Sequence, residues 1–179
     1  AHEGIARDLE YAKQHCLINH IVYMAESGGL KIGVTRNTQL ITRWIDQGAT
    51  EVIKIAITPN RYIAGLIEVT LKNNYSDKTN WRNMLINKID IKVDLIKEKY
   101  LAINALTNQF HSYITDDDEI ININYPVLHY PEKVKAIDFE KNKTIEGKLS
   151  GIKGQYLIFS EGNVINIRKH GGYLINFEY

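Results

Sequence analysis

The four residues Glu26-Ser27-Gly28-Gly29 constrain this chain most, because they join two short apolar runs, residues 21–25 and 30–34, that can fold back on each other. Consecutive glycines take positive φ without steric cost, which is what a tight hairpin turn demands. An antiparallel pair is expected, with Tyr23 and Lys31 on adjoining strands. Ile5, Leu9, Ala12 and Cys16 recur at helical spacing, so residues 3–15 read as a short amphipathic helix leading into that pair. Behind it, Asn37 or Thr38 can cap a helix over residues 39–47, stopped by Gly48. Leu40, Ile41, Trp44 and Ile45 are expected to form its buried face, while Arg43 and Gln47 project together on the other side.

Alternation over residues 51–57 gives a third strand. Ile63, Leu66, Ile67, Thr70 and Leu71 mark a helix over residues 61–74, and Glu68 falls outside that stripe beside Ala64 and Gly65. The polar turn from Asp77 to Arg82 opens another helix. A long helical pattern over residues 90–113 ends at the acidic run Asp116-Asp117-Asp118-Glu119. Beyond Ile120 the pattern changes to short strands at residues 121–127, 134–139, 145–149, 156–159, 164–167 and 173–177, the mark of a small antiparallel sheet or barrel. The expectation is an α+β chain in two units: residues 1–115, a small mixed sheet with flanking helices, and residues 120–179, a β-rich unit.

Composition narrows the function. No apolar run approaches the roughly 18 residues of a membrane span, and the N-terminus lacks the charged-then-apolar order of a signal peptide. A cytoplasmic location is the expectation, in keeping with the single Cys16. The start without Met leaves room for an upstream segment. The net charge of +1 conceals a segregation: 11 Lys/Arg against 8 Asp/Glu in residues 1–89, 3 against 7 in 90–130, and 8 against 6 in 131–179. Such small excesses do not announce a nucleic-acid binder, although a local basic groove can still form on folding.

The order Ile21-Val22-Tyr23, Lys31-Ile32-Gly33, Arg43, Glu68 and Asn80 resembles the GIY-YIG nuclease core. The chain also resembles a longer, uncharacterised bacterial family that carries such a core and a cysteine-bearing segment upstream. That likeness covers nearly the whole chain, including residues 2–8 and 43–48. The resemblance implies a metal-dependent endonuclease in which Tyr23, Gly33, Arg43, Glu68 and Asn80 gather around one Mg²⁺ or Mn²⁺ and a scissile phosphate. One departure is plain: Lys31 stands where the family has a second tyrosine.

The residue chemistry suits those roles. Glu68 is a hard oxygen ligand for one divalent ion, and Arg43 offers a planar donor fork to a phosphate, with Arg36 as its substitute. Tyr23 is the candidate base, its pKa lowered by the Lys31 ammonium, with His20 as a second base and Asn80 steadying the site. Arg36, Gln47, Lys153, Arg168 and Lys169 are candidate nucleic-acid contacts, the last three because they stand beside glycines in turns. Each has a plainer reading: Tyr23 as an interfacial aromatic, Arg43 paired with Glu68, Lys31 solvated, Trp44 and Trp81 as packing. His2, His15, Cys16 and His20 are irregularly spaced for zinc, so Zn²⁺ is not expected; His2 would be the remnant of a metal site cut away upstream. Two alternatives to the endonuclease stay open: an inactive nucleic-acid or protein binding module, and a structural protein without a nucleic-acid role.

Overall fold

The hairpin organises the first sheet. In a computed structural model that describes residues 7–88, 93–176 and 178, β1 (His20–Glu26) and β2 (Leu30–Arg36) pair antiparallel with Tyr23 opposite Gly33. Gly28 and Gly29 take φ of 68° and 135°, and a side chain at Gly28 would collide with the Met84 backbone. β3 (Glu51–Thr58) pairs antiparallel with the other side of β1, and β4 (Ile121–Asn122) with β3, so the order is β2-β1-β3-β4. A bulge interrupts the β1–β3 register between Val22 and Tyr23. Bulges bend a strand and re-aim the neighbouring side chains, and this one falls beside the candidate tyrosine.

Both faces of this sheet are covered. Val22, Met24, Ile32, Ile53 and Ile55 pack against Ile67 and Leu71 of α3 (Arg61–Leu71) and against Leu95 and Ala102 of α5 (Leu95–Asn104). Ile21, Tyr23, Ala25 and Val52 pack on the other face against Trp44 of α2 (Leu40–Asp46). Two-sided burial explains why β1 reads as an unbroken apolar run without alternation. The helices start where polar side chains satisfy their first amides: Asp8 caps α1 (Leu9–His15), Asn60 caps α3, Asn80 caps α4 (Trp81–Leu85) and Asp94 caps α5.

The second sheet has the order β5-β8-β7-β6, built from β5 (Lys135–Ala136), β6 (Leu149–Lys153), β7 (Tyr156–Phe159) and β8 (Asn163–Asn166). Its pairs are antiparallel except β5–β8. Met84 and Leu85 of α4 share a buried cluster with Ile158 and Val164, and the Met84 backbone lies against Gly28, so α4 joins the second sheet to the hairpin turn of the first. The chain is therefore α+β, with two small, mostly antiparallel sheets. Among the described residues no helix is long and apolar enough to cross a membrane.

Several expected elements differ. The helix expected over residues 90–113 is two pieces, α5 and a 3-10 segment Asn108–Tyr113, because Thr107 is extended and turns Phe110 back onto the core; residues 89–92 lie outside the described residues. Of the helix expected over residues 3–15, Leu9–His15 forms, and residues 1–6 lie outside the description. Residues 121–127, expected to open the second unit, divide: Ile121–Asn122 gives β4 to the first sheet, while Val127 bridges Gly151 of the second. The strand expected at 145–149 moves to Leu149–Lys153, running through Gly151, where a Cβ would meet the Val127 Cα at 2.6 Å. Close backbone approach explains a glycine within a strand. Residues 173–176 form no strand: after the 3-10 turn Ile167–His170, the Tyr173 N–H donates to the His170 carbonyl and its ring meets the imidazole edge-on.

Candidate active site

Gly33 explains the position of Tyr23. The phenol lies across β2, and a Cβ on Gly33 would come within 2.5 Å of its oxygen. Only a residue without a side chain lets the ring lie there. The Tyr23 hydroxyl donates to Gln47 Oε1 at 2.7 Å, and Trp44 meets the ring edge-on at 5.8 Å between centroids. Tyr23 is fully buried, and that burial pushes its pKa up to about 12 against the charge and hydrogen bond of Arg43. This corrects the expectation of a phenol made acidic by Lys31. Desolvation outweighs the cation, and the cation beside the phenol is Arg43.

Lys31 is buried as well, only 3% exposed, and its ammonium donates to Thr79 Oγ1 at 3.0 Å. Burial and, next, repulsion by Arg43 bring its pKa down to about 8, while Asp77 and Glu68 pull the other way. Residues 76–79 reach it because they run beside the edge strand: Ser76 bridges Lys31, and the Ile32 N–H donates to the Ser76 carbonyl at 2.8 Å. Thr79 was not among the candidates. The polar turn was visible in sequence, but nothing local shows that its hydroxyl would find a lysine on a strand far earlier in the chain.

Glu68 stands on α3 at the edge of the sheet, close enough for its charge to act on both Tyr23 and Lys31. It pairs with Arg61 Nη2 at 3.4 Å, not with Arg43, and the Arg61 Nη1 is buried with no partner among the described residues. Arg43 is an exposed residue, and its guanidinium charge acts on both the buried phenol and the buried amine. Tyr23, Lys31, Arg43, Gln47, Glu68 and Thr79 thus form one cluster.

A family model described as "Protein of unknown function (DUF2797)" matches residues 1–175. The chain belongs to the DUF2797 family. No curated protein and no solved structure matches it.

Other expected positions in this DUF2797 protein fall outside the cluster. His20 is buried on the α3 face of β1, the face opposite Tyr23 in the strand alternation, which corrects its assignment as a second base in the same site. Its Nδ1 donates to the Ile18 carbonyl at 2.8 Å, and burial, aided by Arg61 and Arg36, holds its pKa below the usual range. Asn80 spends its side-chain oxygen on the Asn83 amide at 3.2 Å, so it is a helix cap and Thr79 is the residue that reaches the cluster. Arg36 is held by His15 and Gln39 at the end of β2. Gln47, by contrast, belongs to the cluster, where its Oε1 accepts from the Tyr23 hydroxyl.

The basic side chains of the second sheet divide. Lys153 is buried, with its ammonium on Asn87 Oδ1 at 2.9 Å and over the rings of Tyr130 and Tyr125, so it is no surface contact. Burial lowers its pKa to about 8. Arg168 and Lys169 are exposed but pair with Asp46 and Asp138 at 3.4 and 3.8 Å. Trp81 stacks on Tyr156 with centroids 5.7 Å apart, which is packing. His2 lies outside the described residues.

Among the described residues no three His, Cys, Asp or Glu side chains gather at one point. A divalent ion in the cluster would take Glu68, whose side chain is 18% exposed and only loosely paired, and complete its shell with water and substrate oxygens. Mg²⁺ habitually binds in that way, so the donor set fits such an ion.

Proposed function

We propose that this protein is a metal-dependent endonuclease that hydrolyses phosphodiester bonds in DNA or RNA at the Lys31–Arg43–Glu68 cluster. The observation that carries the reading is the meeting, at one sheet edge, of the guanidinium of an exposed arginine, a carboxylate and an amine whose pKa is about 8. The ion, when bound at Glu68, would supply charge neutralisation at the phosphate. Arg43 binds a non-bridging oxygen pair through its fork. Lys31, not Tyr23, takes the proton: with a pKa of about 8, roughly one amine in ten is neutral at pH 7, and a base poised near the working pH transfers protons efficiently. The Tyr23 hydroxyl, un-ionised below pH 10, holds Gln47 and the Arg43 guanidinium in place.

The burial of Tyr23 and Lys31 also supports a second reading, an inactive module that binds nucleic acid through Arg43. The test is to offer labelled DNA and RNA with Mg²⁺ or Mn²⁺ to the wild type and to Arg43→Ala. Cleavage and binding that fall together in the variant support the enzyme. Binding by the wild type with no cleavage of any substrate leaves the module, and neither binding nor cleavage removes both readings.

A further inference from the structure

A cleft of about 470 Å³ opens between the turn end of the first sheet and the segment that carries Tyr125 and Tyr130. That volume is typical of small-molecule sites. It shares no residue with the cluster around Lys31. Its walls include Glu26, Thr50, Glu51, Asn87, Tyr125 and Tyr130.

Two observations indicate the ligand's charge and shape. Glu26 and Glu51 are Cα partners across the β1–β3 pair, and both line the cleft. Like charges directly opposite in an antiparallel pair are destabilising, so the free protein carries a cost that a cation between them would relieve. Glu26 accepts from the Gly29 amide at 2.7 Å and feels Lys153, whereas Glu51 has no hydrogen-bond or ion-pair partner among the described residues. The second observation is a fixed aromatic wall. Tyr125 donates to the Ala49 carbonyl at 2.9 Å, and the buried Lys153 ammonium lies 5.5 Å from its ring and 5.0 Å from that of Tyr130 while bonding Asn87. One buried amine thus clamps three lining residues, and the wall is formed before any ligand arrives.

We propose that this cleft binds a small organic ammonium compound, its amine between Glu26 and Glu51 and its carbon frame against Tyr125 and Tyr130. An inorganic divalent ion would use the carboxylates and leave the rings idle. Aromatic faces attract organic cations and also accept their carbon chains.

The probe is spermidine, titrated calorimetrically into the full chain, with octanediol as a neutral molecule of similar length. Expected are saturable binding of spermidine, none of octanediol, and at least about tenfold weaker binding by Glu51→Gln, the scale of one charge-assisted contact. Glu51→Gln should also melt higher than the wild type when free, because the repulsion is relieved; a merely structural glutamate would not couple a gain in stability to a loss of binding. Amide shifts in the wild type should place the probe at residues 50–51 and 122–125. Undetectable spermidine binding at millimolar concentration, equal binding of octanediol, unchanged affinity in Glu51→Gln, or displacement of spermidine by stoichiometric Mg²⁺ would each overturn the proposal. No cleavage is measured, so the outcome is separate from that of the nuclease reading.

Discussion

At the scale of single residues, the account turns on two polar groups that burial has moved in opposite directions. Lys31 is a cation held where its charge is costly, and Tyr23 is an acid held where ionisation is costly. Replacing Lys31 with Met should therefore stabilise the fold at neutral pH, by up to about 3 kcal/mol if the whole depression is relieved, and abolish cleavage. A protein that keeps so costly a group is expected to use it. Tyr23→Phe loses the hydroxyl bond to Gln47, about 1 kcal/mol of stability, yet should retain cleavage within about tenfold, since the phenol is not the base. Melting curves and initial rates on the two variants check both statements; full loss in Tyr23→Phe with activity in Lys31→Met would reverse the roles. The positions of Tyr23, Lys31, Arg43 and Glu68 were legible in the sequence, because hairpin register and helix spacing place them. The protonation of Tyr23 and Lys31 was not, since their burial depends on Trp44, Gln47 and Thr79, whose approach is tertiary.

At the scale of elements, the hairpin, α2, the third strand and α3 were legible because each carries a strong period or a strong stop. What failed was local weakness. Gly151 disguised a strand whose glycine answers to Val127, and Thr107 broke a helix whose apolar pattern ran on past it. Asn80 illustrates the same limit: a resemblance gave it a chemical role, while its oxygen caps α4 and its neighbour Thr79 reaches Lys31. Gly33 shows how closely two strands can depend on one missing side chain. Gly33→Ala puts a Cβ within 2.5 Å of the Tyr23 oxygen and 2.6 Å of Cζ, so the ring must leave Gln47 or the strands must part. A destabilisation of about 1–3 kcal/mol is expected, the usual cost of overpacking, and urea unfolding measures it. An unchanged midpoint would mean that the ring does not lie across Gly33.

At the scale of the whole molecule, two sheets each bury a lysine whose pKa is about 8, Lys31 in the first and Lys153 in the second. For both, the folded pKa lies below the ordinary lysine value of 10.5, so between those limits the unfolded chain binds more protons and stability rises with pH. Tyr23, raised from 10.0 to about 12, acts oppositely: above pH 10 the unfolded chain releases protons that the fold retains, and stability falls. Urea midpoints should therefore climb above about pH 8 and turn over above pH 10, and a curve that declines steadily from neutrality would contradict the burial of both lysines. The central proposal is that the cluster cuts phosphodiesters, and Glu68, the candidate ion ligand, tests it with the smallest change of side-chain shape. The decisive measurement is single-turnover cleavage of labelled nucleic acid by the wild type and by Glu68→Gln, with Mg²⁺ or Mn²⁺ present and after chelation. The account predicts ion-dependent cleavage by the wild type and a rate at least about a hundredfold lower in Glu68→Gln, the scale of losing one charge-stabilising group, with the fold retained and a melting temperature lowered only by the loss of the 3.4 Å pair with Arg61; cleavage by Glu68→Gln at the wild-type rate would contradict it.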